Sequence, residues 1–144
     1  MTVHERSLAA LLGLKPKKTQ GPFALADEVS RGLSVEAVDR VCDKIAPDDA
    51  GLRHRIIPKA TLARRRRAPG RRLTRDESDR VARLARIWEL AMDVWKSEDA
   101  ARRFLGLPHP LLRNRAPREF AIESELGARA VEDLLGGLKY GTAV

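Results

Sequence analysis

A single cysteine, Cys42, leaves the chain no internal disulfide, so a reducing compartment and a cytoplasmic location are expected. Aromatic residues make up only 4%. Sheets draw on β-branched and aromatic side chains, and no strand pattern is present, which excludes a sandwich or barrel. No apolar run approaches the roughly 20 residues that cross a bilayer, so no membrane partner is expected. The short run Ser7–Leu14 lacks a basic leader and a cleavage context and is not read as a signal peptide. Catalytic patterns are missing as well. His4, His54 and His109 are far apart, with no metal-ligand spacing. There is no G-x-S-x-G, P-loop or G-x-G-x-x-G. Cys42 lies on an apolar stripe and reads as core. Ser78-Asp79 read as helix-start residues and Glu132-Asp133 as a polar helix face. No catalytic residue, cofactor or metal is expected, and the chain is not read as an enzyme.

What the chain has is charge, at 33% of its 144 residues, and 43% hydrophobic residues to build a core. The net charge is +8 and unevenly spread. Residues 53–75 hold ten Lys/Arg and no acid, while the remainder holds 18 bases against 20 acids. A local basic field of this kind suits a polyanion, although a solubility patch or a membrane-surface patch has the same composition.

Helical periodicity accounts for most of the chain. Residues 1–22 read as a flexible N-terminal arm, with a short helix over Ser7–Leu14 and a Pro/Gly/Lys linker over Lys15–Pro22. Phe23–Arg31 forms a short helix stopped by Gly32. Ser34 is expected to cap a helix with the apolar stripe Val38, Val41, Cys42 and Ile45. Two short helices follow, about Asp48–Arg55 and Pro58–Arg67, ended by Pro69-Gly70. Thr74 and Glu77 have capping-box spacing. They open a long central helix with Val81, Leu84, Ala85, Trp88, Met92 and Trp95 in one stripe. At their spacing Trp88 and Trp95 read as core. Ser97 starts the next helix and Gly106 stops it. Pro117–Ile122 forms a short helix. Ser124 caps a last one, with Leu126, Ala130, Val131, Leu134, Leu135 and Leu138 on one face. Gly136 and Gly137 weaken its end, and the residues after them could leave the domain as a tail. The fold class is all-α, a helical bundle. Its parts are an arm (1–22), a helix-turn-helix-like part (23–71) and a C-terminal helical part (72–144).

Two surfaces stand out. Asp48–Arg55 and Pro58–Arg67 have the layout of a helix-turn-helix, whose second helix enters the major groove. Lys59, Thr61, Arg64, Arg65, Arg66 and Arg67 are its DNA-contact candidates, since arginine pairs with guanine and neutralises phosphate. Four adjacent arginines surround a helix, so some must face away from any groove, and a solvated basic helix remains the alternative. The second surface is the C-terminal end, where Leu138, Tyr140 and Val144 have no downstream element to pack on. That end is either a frayed terminus or a segment that orders on a partner, with Tyr140 as an anchor.

Taken in order, several blocks resemble the Xre/MbcA/ParS antitoxins of bacterial RES–Xre toxin–antitoxin pairs. They are GLSVEAVDRV (32–41), IIPKATLARRRR (56–67), RLTRDESDRVARLARIWELA (72–91), DAARRFLGLPHPLL (99–112) and ELGARAVEDLLGGLKYGTAV (125–144). The resemblance covers residues 23–144. It implies an Xre-like N-terminal part and a C-terminal part that binds a cognate RES-domain toxin. Such toxins consume NAD or transfer ADP-ribose, and the antitoxin blocks the NAD pocket. Self-association as a homodimer and autorepression at operator DNA are also implied. On matching positions, Leu134, Leu135, Leu138, Lys139, Tyr140 and Gly141 are the toxin-contact candidates, and Thr61, Arg64 and Arg65 match the recognition-helix block. GLRHRII (51–57) departs from the family in being more basic, which argues against close packing of the first helix of a standard helix-turn-helix. A stand-alone DNA-binding regulator is the alternative reading of the whole chain.

Overall fold

The computed structural model describes residues 3–15 and 21–141. The linker expected over 15–22 and the tail residue Val144 lie largely or wholly outside them. Nine α-helices occur among the described residues: α1 (Val3–Leu11), α2 (Pro22–Arg31), α3 (Glu36–Ile45), α4 (Leu52–Ile56), α5 (Lys59–Arg67), α6 (Arg75–Trp95), α7 (Glu98–Gly106), α8 (Pro117–Glu123) and α9 (Glu125–Tyr140). A 3-10 turn covers Pro110–Leu112. The only extended pairings among the described residues are two isolated bridges, Ser34 with Arg72 and His109 with Arg115. The all-α expectation is met. The chain divides into two compact units, and the division falls inside α6, between Ala85 and Arg86.

The first unit is built on α3. Its stripe Val38, Val41, Cys42 and Ile45 is fully buried, as the spacing requires. Burial pushes the Cys42 thiol up to about 12, which keeps it protonated and inert. α1 packs against α3, and its Ala9 and the following Leu12 are buried. Ser34 does not cap α3. The helix begins after Val35 with no side-chain cap, and the Ser34 hydroxyl donates to the Glu36 carboxylate instead. Its backbone is taken by the bridge to Arg72, where the Val35 amide donates to the Arg71 carbonyl at 2.9 Å and the Leu73 amide to the Leu33 carbonyl at 2.8 Å. Gly32, at φ 101°, sits so close to the Leu73 carbonyl that any Cβ would collide with it.

The capping box holds. The Thr74 amide donates to Glu77 Oε1 at 2.9 Å, and the Glu77 amide donates to Thr74 Oγ1 at 3.2 Å. One turn on, Ser78 is fully buried and accepts the Leu33 amide at 2.8 Å, and Arg80 Nε donates to the Ile56 carbonyl at 2.9 Å. These bonds tie the start of α6 to the segment after α2 and to the end of α4.

In the second unit, Ser97 accepts the Ala100 amide and caps α7, and Ser124 accepts the Gly127 amide at 2.9 Å and caps α9. α8 packs on both α7 and α9. Gly127 lies so near the Phe120 carbonyl that a Cβ there would collide. That close approach fixes which side of α9 faces inward: Gly127, Ala128, Val131, Leu134 and Leu135 are buried. Leu126, one position off this stripe, is 78% exposed, so it does not join the buried face expected of it. Arg86 Nε donates to Glu132 at 2.9 Å and its Nη2 to Glu125 at 2.9 Å, linking α6 to α9. Of the two tryptophans, Trp88 is buried, with Arg102 over its ring at 5.7 Å. Trp95 is not core. It ends α6 at 39% exposure, tilted against Phe104 with ring centroids 5.7 Å apart.

Candidate functional site

The basic segment folds as α4, a two-residue link and α5. The first of these helices is shorter than expected. Asp49 Oδ1 accepts the Gly51 amide at 3.1 Å, a local turn that competes with helix, and α4 starts only at Leu52. Its basic residues do not prevent packing, because Leu52, Ile56 and Ile57 point inward and are buried. The polar residues between them are largely provided for. Arg53 donates to Asp39 and, at 3.1 Å, to Asp43, both on α3, while Arg55 donates to Asp49 at 2.6 Å.

On α5 the run of four arginines divides into two pairs. Leu62 is the one buried side chain of this helix. Arg65 and Arg66 flank it. Arg65 makes a two-pronged pair with Glu77, at 3.0 and 3.2 Å, and Arg66 a second with Asp39, at 2.8 and 3.0 Å. Glu77 therefore caps α6 and holds α5 at once. Burial alone would raise its carboxyl, but the bonds from Arg65 and from Thr74 outweigh burial and hold it below the usual range. Asp39 is held low mainly by its bond from Arg66, with the Arg66 and Arg53 charges adding to it.

Arg64 and Arg67 are exposed, and among the described residues neither they nor Lys59 meets a carboxylate. Ala60, Arg64 and Arg67 occupy positions i, i+4 and i+7, one outward face at helical spacing, and the exposed Lys59 precedes it at the start of the helix. Thr61 is half-buried at the edge of that face. Of the six sequence-selected residues, Lys59, Arg64 and Arg67 are thus free to meet an external anion, while Arg65 and Arg66 are engaged within the fold. Arg71 is engaged too, with Glu36 at 2.9 Å.

The C-terminal candidates also divide. Leu134 and Leu135 are buried in the second unit. α9 does not stop at the glycine pair but continues to Tyr140. It ends on Gly141 in the left-handed conformation, whose amide donates to the Gly137 carbonyl. Leu138 is 36% and Tyr140 74% exposed. Lys139 pairs with Asp93 on α6, and its ammonium lies 5.3 Å from the centre of the Tyr140 ring. The Asp93 carboxyl is held low by hydrogen bonds from Lys139 first and Lys96 second. Asp93 was not singled out from the sequence, and it could not be: Lys139 is 46 positions away, beyond any local pattern. No group of His, Cys, Asp or Glu among the described residues could hold a metal ion, and no helix among them is long and apolar enough to cross a membrane.

Together these features define an all-helical two-part protein. One unit presents a helix-turn-helix with an outward basic face, and the other ends in a helix with exposed apolar residues at its last turn. Residues 24–86 match the antitoxin Xre-like helix-turn-helix domain. Residues 90–141 match the antitoxin Xre/MbcA/ParS C-terminal toxin-binding domain. The chain is also 34% identical over 119 residues, covering 81% of its own length and 79% of the relative's, to Antitoxin Xre of Yersinia enterocolitica serotype O:8 / biotype 1B. The chain belongs to the Xre/MbcA/ParS antitoxin family, as the ordered blocks indicated, and its C-terminal domain is a toxin-binding one.

Proposed function

We propose that this antitoxin neutralises a cognate RES-domain toxin by setting the end of α9 into the toxin's NAD pocket. One observation carries the reading. α9 runs through a destabilising glycine pair and still presents Leu138 and Tyr140 outward at its last turn, inside the toxin-binding match. Tyr140 offers an aromatic ring and a hydroxyl at low entropic cost, a good anchor for a pocket built around a nucleotide. Leu134 and Leu135 act from beneath, holding α9 in its own unit. Leu138, Tyr140 and Gly141 are then the contacting residues. The RES identity of the toxin and the homodimeric state rest on the family resemblance.

The test is co-expression of the toxin encoded beside this gene with the full chain or with a chain lacking residues 137–144. Growth with the full chain and arrest with the shortened one is the expected result. Equal growth with both would remove the α9 end from neutralisation.

Operator binding is the second role, with Lys59, Arg64 and Arg67 as its phosphate and base contacts. It is favoured by the outward side of α5, whose cations meet no carboxylate among the described residues.

A further inference from the structure

An α-helix with two consecutive glycines near its end should fray there, because each costs about 1 kcal/mol relative to alanine in a helix interior. Packing does not require the first of them: a Cβ at Gly136 would meet nothing within 4 Å. Yet the helix goes on through Leu138, Lys139 and Tyr140 to the left-handed Gly141. The last buried aliphatic side chains are Leu134 and Leu135, on the near side of the glycines. Past them Gly137 is still buried and Leu138 is partly covered, and the contact that reaches the last two residues of the helix is a polar one.

That contact is the pair between Lys139 and Asp93. The Asp93 side chain is 13% exposed on α6 and takes a second lysine, Lys96, at 3.2 Å. Lys96 follows the end of α6 in a left-handed conformation, at φ 55°. Asp93 therefore gathers an ammonium from each of two chain segments. The Lys139 ammonium also lies against the Tyr140 ring, so fixing Lys139 fixes the direction of the aromatic.

We propose that Asp93 is a positioning residue for toxin binding: through Lys139 it holds the last turn of α9 as helix and pre-orients Tyr140. This rests on the reading that the α9 end contacts the toxin. Lys139 then works mainly inward, on Asp93, with its outer side left to the Tyr140 ring. The gain is pre-organisation, since a last turn already ordered loses less conformational freedom on binding than a frayed one.

The test uses the full chain as Asp93→Asn and as the double variant Asp93→Asn/Gly136→Ala. The second variant restores helix propensity at an open position without restoring the ion pair. Two readouts are taken: amide hydrogen exchange of residues 138–141 in the free protein, and protection in co-expression with the adjacent toxin. Asp93→Asn is expected to speed exchange at those amides about tenfold and weaken protection. The double variant is expected to recover both. Unchanged exchange in Asp93→Asn would overturn the proposal, as would faster exchange with full protection. Recovery of exchange without recovery of protection would also overturn it, because Asp93 would then act by direct contact. If the unsubstituted chain fails to protect, the antitoxin reading itself fails, and the exchange data still decide whether Asp93 orders the helix end.

Discussion

Replacing Arg64 and Arg67 with alanine in one variant, and Arg65 and Arg66 in another, removes the same chemistry from the same helix with opposite consequences. The first pair is exposed and without carboxylates among the described residues. Its loss is expected to change stability by no more than about 0.5 kcal/mol. If both arginines touch phosphate, the slope of log affinity against log salt falls by up to about 1.8, at about 0.9 per contact. The second pair holds the fold together. Without Arg65, Glu77 keeps a carboxylate that is only 8% exposed and has lost its cation; hydrogen bonds to charged groups contribute about 1.5–3 kcal/mol. Asp39 is 29% exposed and retains Arg53, so the Arg66 loss is discounted to about 0.5–1 kcal/mol. The double change should therefore cost about 2–4 kcal/mol in total while leaving the salt slope nearly unchanged. Urea unfolding measures the first quantity. Titration of the DNA upstream of the gene at several salt concentrations measures the second. Equal loss of salt slope in both variants, or greater destabilisation from Arg64/Arg67 than from Arg65/Arg66, would refute the division of the arginine run.

Two further outcomes follow from the same geometry. Asp39 and Glu77 titrate below their ordinary values in the folded chain, so the folded state binds fewer protons there than the unfolded one. Their stabilisation is complete above about pH 4.5 and is lost as the pH falls through the lower folded values; urea midpoints between pH 7 and 3 should decline less steeply in Asp39→Asn/Glu77→Gln than in the parent. Among the helical glycines, Gly136→Ala should stabilise by about 1 kcal/mol, because the site is open. Gly127→Ala should destabilise by about 1–3 kcal/mol, because its Cβ meets the Phe120 carbonyl, and calorimetry on the two proteins should give melting shifts of opposite sign.

The helices and their caps were legible because their signals are local. Thr74 with Glu77, Ser97 and Ser124 are hydroxyls near the amides they serve, and the α3 stripe repeats at helical spacing. Ser34 shows the limit of such signals. It has a capping residue's type, but its backbone is committed to Arg72, far along the chain, and its hydroxyl goes to Glu36. The same limit applies to the basic run. Composition shows ten cations without an acid, but five of them (Arg53, Arg55, Arg65, Arg66 and Arg71) find carboxylates at Asp39, Asp43, Asp49, Glu77 and Glu36, outside the run. Long-range pairing sorted structural arginines from outward ones, and no pattern within α5 alone carries that information. At the C-terminus, helix propensity predicts a weak point at Gly136 and Gly137, but α9 runs through both to Tyr140. The proposed anchor of that last turn, Asp93, belongs to another helix and leaves no local signal in α9.

The most direct measurement takes the proposed partner, a purified RES-domain toxin encoded beside the gene, and follows its NAD consumption as it is titrated with the full chain and with the chain lacking residues 137–144. The expected result is loss of turnover at stoichiometric full-length antitoxin and little inhibition by the shortened chain. Undiminished turnover at saturating full-length antitoxin, or equal inhibition by both chains, would contradict occlusion of the NAD pocket by the end of α9.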